Sequence, residues 1–130
     1  MNIFIDTSFI LTALKYRLDI FEEFKKLDFK YDLYVLDKTL GELKNKKLGK
    51  LAIDLIKKKN IKVKKTNNKK NVDYNLLKLK NCIIATQDKA LIEKLKKKKI
   101  KTIRIRQKKY IENVLWNNSW KSYKSTTKSI

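Results

Sequence analysis

Met1-Asn2-Ile3-Phe4-Ile5-Asp6-Thr7-Ser8-Phe9-Ile10-Leu11-Thr12 begins as one kind of secondary structure and ends as another. Ile3, Phe4 and Ile5 form an unbroken apolar run, the pattern of a strand buried on both faces of a parallel sheet. The run stops at a carboxylate and two hydroxyls, after which Phe9, Ile10, Leu11 and Leu14 recur at helical spacing. The stretch predicts strand, tight turn and helix, with Asp6 at the carboxyl end of the strand. Ligands of open α/β sheets bind in the crevice beyond those ends, and a carboxylate beside hydroxyls suits a hard cation. Asp, Thr and Ser are also preferred helix N-caps, so Asp6 alone reads as a cap. Acids at equivalent places further along decide between the two readings.

The alternation continues. Ile20, Phe21, Phe24 and Leu27 mark a second amphipathic helix, and residues 31–36 read as a strand. A helix over 37–46 places Leu40 and Leu43 inward and carries Glu42, an ordinary partner for Lys46 four residues on. Leu48, Leu51, Ala52, Leu55 and Ile56 form the stripe of the next helix, and residues 61–63 a minimal strand. The Asn- and Lys-rich loop 64–71 is expected to be exposed and mobile. Asp73 opens a short helix with Leu76, Leu77 and Leu79, and Cys82-Ile83-Ile84-Ala85 is a buried strand closed by Thr86, Gln87 and Asp88. Leu91, Ile92 and Leu95 carry another helix. Ile103 and Ile105 alternate with Arg104 and Arg106, the pattern of a charged edge strand. Tyr110, Ile111, Val114 and Leu115 predict a last helix. The tail 116–130 is polar and basic and is expected to be disordered, with base stacking by Trp120 or Tyr123 as the alternative.

With 130 residues, no Pro and two Gly, the chain fits one domain with no linker. The single cysteine, Cys82, excludes an internal disulfide and a thiolate zinc cluster, which implies a cytoplasmic protein. The absence of histidine removes Ser-His-Asp triads, His-metal sites and an imidazole base. No apolar run approaches the ~20 residues that span a bilayer, and the N-terminus lacks a signal-peptide layout. The formal net charge is +21 and is unevenly placed. Residues 1–56 hold 10 Lys and Arg against 9 Asp and Glu, whereas residues 57–130 hold 24 against 4. A one-sided basic field is the footprint of a polyanion binder, nucleic acid before membrane.

Strands alternating with helices predict an α/β fold, three-layer α/β/α, with a central parallel sheet of about five strands. In such a sheet Asp6, Glu42, Asp73 and Asp88 can converge at the carboxyl edge. Clustered carboxylates repel one another unless a divalent cation neutralises them. Without histidine, the cluster points to Mg²⁺ or Mn²⁺ held by oxygen. A metal cleft beneath a basic surface suits phosphodiester cleavage, for which the metal supplies the hydroxide.

Ile3-Phe4-Ile5-Asp6-Thr7-Ser8-Phe9, Thr39-Leu40-Gly41-Glu42-Leu43-Lys44 and Ile84-Ala85-Thr86-Gln87-Asp88-Lys89-Ala90-Leu91 resemble the signature segments of PIN-domain ribonucleases. Arg104-Ile105-Arg106-Gln107-Lys108-Lys109-Tyr110 resembles the end of archaeal members near the rRNA-processing branch. The similarity covers about residues 1–115 as a nuclease domain and leaves 116–130 outside. It implies a Mg²⁺- or Mn²⁺-dependent endoribonuclease acting on single-stranded RNA. Asp6, Glu42, Asp73 and Asp88 would form the acidic set, with Asp6, Asp73 and Asp88 on the metal and Thr7, Ser8 and Thr86 assisting. It also implies a toxin or RNA-processing role, a homodimer, and an antitoxin partner for the toxin case. The basic residues proposed for RNA are Lys96, Lys97, Lys98, Lys99, Lys101, Arg104 and Arg106. Related sequences often pair two acids where this chain reads Val72-Asp73-Tyr74, so the third acidic position falls to Asp73 or is occupied by Tyr74. The alternative to a nuclease is a catalytically weak, PIN-like RNA-binding or scaffolding protein.

Overall fold

The computed structural model describes residues 1–114, so Leu115, Trp120, Tyr123 and the tail 116–130 lie outside the described residues. Strand β1 (Asn2–Ile5) leads into α1 (Thr7–Lys15), and the chain continues through α2 (Ile20–Phe24), β2 (Asp32–Leu36) and α3 (Asp37–Leu43). Then come α4 (Gly49–Lys58), β3 (Lys62–Lys64), α5 (Val72–Leu77), β4 (Cys82–Ala85), α6 (Lys89–Lys97), β5 (Lys101–Arg106) and β6 (Tyr110–Val114).

The sheet order is β3-β2-β1-β4-β5-β6. Five strands are parallel, and β6 pairs antiparallel with β5, Ile105 opposite Ile111. The helix expected over 110–115 is therefore a strand over its described residues, Tyr110–Val114. Gln107 and Lys108, both at positive φ, turn the chain back before the pattern of Tyr110 and Ile111 can continue as a helix. The same hairpin moves β5 off the edge.

β1 lies at the centre, and its alternate residues enter two cores. Ile3 and Ile5 pack with Phe9, Ile10, Phe24, Leu43 and Ile56 on the face covered by α1 to α4. Phe4 packs on the other face with Val72, Leu76, Ile84, Leu91 and Leu95 from α5, β4 and α6. Each fully buried Phe, Ile or Leu contributes roughly 1.5–3 kcal/mol, and both faces of the strand contribute at once. Hence the unbroken apolar run.

Two expectations fail locally. Leu51 is 54 % exposed, because Gly49, Ala52 and Ile56 form the buried stripe of α4. A Cβ on Gly49 would sit 1.6 Å from the Leu43 carbonyl oxygen, so only glycine lets α4 start this close to the end of α3. Loop 64–71, expected to be mobile, is instead tied down on both sides, and its first residue, Lys64, ends β3. Asp37 accepts from the Thr66 hydroxyl (2.8 Å) and N–H (3.1 Å), and the Lys38 ammonium donates to the Thr66 hydroxyl and the Asn68 carbonyl. The Asn68 and buried Asn75 amides bond each other at 2.8 and 3.2 Å. Polar composition here builds a network that fixes the entry to α5.

Candidate active site

The strand order reverses between β1, flanked by β2, and β4, which leads to β5. At that point Asp6 leaves β1 and Thr86 leaves β4. Asp6 starts α1, yet its carboxylate makes no capping hydrogen bond to the helix. Instead the Thr86 and Ser8 hydroxyls both donate to Asp6 Oδ2, at 2.8 and 3.0 Å. Thr86 is fully buried and Asp6 only 5 % exposed. Burial pushes the Asp6 carboxyl above the usual range against these hydrogen bonds and one from the Thr7 backbone, and the Asp73 charge adds to the rise.

Glu42 arrives on α3. That helix ends at Leu43, so Lys46 falls beyond it and forms no ion pair with Glu42 among the described residues. Glu42 Oε1 accepts instead from the Thr7 hydroxyl at 2.5 Å. Asp73 sits in the first turn of α5, whose start Asn71 caps by accepting from the Tyr74 N–H at 2.8 Å. Desolvation raises the Asp73 carboxyl, and the charges of Asp88 and Glu42 raise it further, against a smaller opposing effect of Lys94. Asp88 does what Asp6 does not: its Oδ1 caps α6, accepting from Ala90 and Leu91 N–H at 3.0 and 3.2 Å.

Asp6, Thr7, Ser8, Glu42, Asp73 and Asp88 line one cleft of about 360 Å³, together with Leu11, Lys46, Asn71 and Val72. Tyr74 is absent from that lining and is 41 % exposed. Lys46 and Asn71 were missed as cleft residues. Lys46 was hidden because a longer helix was expected, and Asn71 because its loop was read as mobile. Asp37 also escaped notice. Its carboxyl is pushed up by desolvation but held below the usual range overall by the Thr66 side chain, the Thr66 and Lys38 backbone N–H groups and the Lys38 charge.

The cleft's donors are carboxylate and hydroxyl oxygens, with a buried acid above its ordinary pKa, and that chemistry fits a hard divalent cation. No three acids, cysteines or histidines among the described residues form a ready-made metal cage, so the fit is one of donor type and charge.

The basic residues separate into two groups. α6 starts at the carboxyl edge beside Asp88 and ends at the amino edge, carrying Lys96, Lys97, Lys98 and Lys99 away from the cleft. Lys99 and Lys101 border a hollow shared with Met1 and Cys82, at the starts of β1 and β4. Lys98 donates to the Leu77 carbonyl at 3.3 Å, at the end of α5. Arg104 and Arg106 both pair with Glu112 across the hairpin, at 3.6 and 3.1 Å. At the carboxyl edge stand Lys46 in the cleft wall, Lys64 at the end of β3, and Lys65, Lys69 and Lys70 in the tied loop. Among the described residues no helix is long and apolar enough to cross a membrane.

No protein-family model matches the chain, and no curated protein matches it. Among solved structures it is similar to the PIN domain endonuclease Utp24, with a TM-score of 0.77 and 24 % sequence identity. The match covers 88 % of this chain and 92 % of that one. The chain therefore has the PIN-domain fold.

Proposed function

We propose that residues 1–115 form a divalent-metal-dependent endoribonuclease that cleaves single-stranded RNA. The observation that carries this reading is the meeting of Asp6, Glu42, Asp73 and Asp88 in one cleft at the switch point of a PIN-type sheet. Asp6, Asp73 and Asp88 would hold Mg²⁺ or Mn²⁺, with Glu42 completing the acidic set. When bound, such an ion supplies Lewis-acid activation of the phosphodiester and of a water nucleophile.

The chain's own residues fix the arrangement. Ser8 and Thr86 orient the Asp6 carboxylate through Oδ2, and Thr7 holds Glu42 against β1's exit. The Asp88 carboxylate is locked through Oδ1 by its cap. Lys46, in the cleft wall, is placed to meet a phosphate approaching this anionic site.

The test is cleavage of single-stranded RNA by purified protein. Cutting with Mn²⁺ or Mg²⁺ that stops with a chelator and in Asp6→Asn is expected. The rival is a catalytically weak, PIN-like RNA-binding or scaffolding protein. Tight RNA binding without any cutting would select that rival.

A further inference from the structure

Tyr74 takes no part in the cleft, yet it follows Asp73 directly on α5. A step of one residue turns a side chain by ~100 degrees around a helix. The ring therefore stands on the outer shoulder of the wall that carries Asp73, where its exposure is among the largest of any apolar or aromatic side chain described. Two ammonium groups hold it, Lys70 at 5.5 Å and Lys78 at 5.3 Å from the ring centroid. The ring's backbone is fixed as well, because Asn71 caps its N–H and Asn75, one residue on, is bonded to Asn68, Lys70 and Asn71. An exposed aromatic face on a rigid support, flanked by cations and bordering an acidic cleft, matches the parts of a single-strand nucleic-acid platform. Both ammonium groups lie over the ring, so a base stacks on the π-face by displacing a lysine head, which then meets the phosphate beside that base.

We propose that Tyr74, with Lys70 and Lys78, forms a base-stacking subsite that receives an unpaired nucleotide next to the cleft. The inference rests on the RNA-cleaving reading of that cleft, whose substrate it restricts to strands with an unstacked base at this position. Duplex RNA, whose bases are already stacked and paired, cannot offer one.

The experiment measures binding, with chelator present, of two RNA oligonucleotides of about ten nucleotides, one of adenosine and one abasic throughout. Tyr74→Ala should weaken binding of the adenosine strand roughly ten- to a hundredfold, the range of base–aromatic stacking, and leave the abasic strand unchanged. Tyr74→Phe should bind both as the parent does. Lys70→Ala and Lys78→Ala should weaken both strands, since phosphates are common to them. Tyr74 is exposed, so its removal opens no cavity. Equal binding of the adenosine strand by parent and Tyr74→Ala would overturn the subsite, as would equal losses on both strands. A parent that shows the predicted split but never cuts RNA would uphold the subsite while removing the nuclease reading.

Discussion

The Thr7 hydroxyl donates to Glu42 Oε1 over 2.5 Å, joining the first turn of α1 to α3 across 35 residues of sequence. Glu42 is otherwise an exposed residue on a short helix, so this bond is what directs its carboxylate inward. Thr7→Val keeps the shape and removes the donor. Cleavage should fall roughly tenfold, within the range for a hydrogen bond to a charged group, with the melting temperature little changed. Thr7→Ser should restore the rate. Parent-like cleavage by Thr7→Val would remove the positioning role.

Burial of Asp6 should show in stability as well as in activity. Its folded-state carboxyl lies above the ordinary value because of that burial. Its stabilising contribution is therefore fully present below the unfolded value near 3.9 and is lost as pH rises through the folded one. Asp6→Asn should raise the urea midpoint at pH about 7 without divalent cation, and the gain should vanish below about pH 4. A constant difference across that window would mean that Asp6 ionises as an ordinary surface acid.

Divalent cations should stabilise the same cleft. Mn²⁺ or Mg²⁺ should raise the parent's melting temperature by several degrees, and a chelator should reverse the shift, as for any ligand that binds only the folded state. Asp73→Asn should shrink the shift and abolish cleavage, whereas Tyr74→Phe should leave both unchanged. A full shift and undiminished cleavage in Asp73→Asn would confine the acidic site to Asp6, Glu42 and Asp88.

The two basic edges should behave differently. Neutralising Lys46, Lys65, Lys69 and Lys70 should weaken RNA binding and flatten its salt dependence, by roughly 0.7 in log–log slope for each phosphate no longer neutralised. Neutralising Lys96, Lys97, Lys99 and Lys101 should do less, because these face the amino edge. Equal effects would reduce the charge to bulk composition.

Lys99 terminates α6 at φ 60, a left-handed position that costs a side chain free energy glycine avoids. Lys99→Gly should stabilise the fold by about 0.5–1 kcal/mol, read from the urea midpoint. A loss of stability would show that the Lys99 side chain itself holds the helix end.

What could be read from the residues follows from how local each signal is. Ile3 to Ile5 announced a two-faced central strand because burial on both sides leaves no polar position in it. Asp6 and Asp88 could be placed at strand exits for the same reason. Their difference could not: whether a carboxylate caps its helix or accepts from Thr86 depends on a neighbouring strand eighty residues away. The hairpin of β5 and β6 escaped because Tyr110 and Ile111 suit either structure, and the reversal is made by Gln107 and Lys108 without a glycine to signal it. Loop 64–71 misled by composition. Asn68 pairs with Asn75 of α5 and accepts from the Lys70 N–H, and Asn71 accepts from the Tyr74 N–H.

The central position of β1 sets the order in which the protein comes into being during synthesis. β1 is made before the other strands, but its neighbour β4 and the Thr86 hydroxyl that orients Asp6 are made some eighty residues later. A nascent chain that has passed Asp73 already holds three of the four acids, yet lacks the strand that closes the sheet beside Asp6. Such non-local pairing forms late in folding. The acidic centre is therefore assembled only once β4 has emerged, and no fragment that stops short of Thr86 leaves the ribosome with a finished cleft.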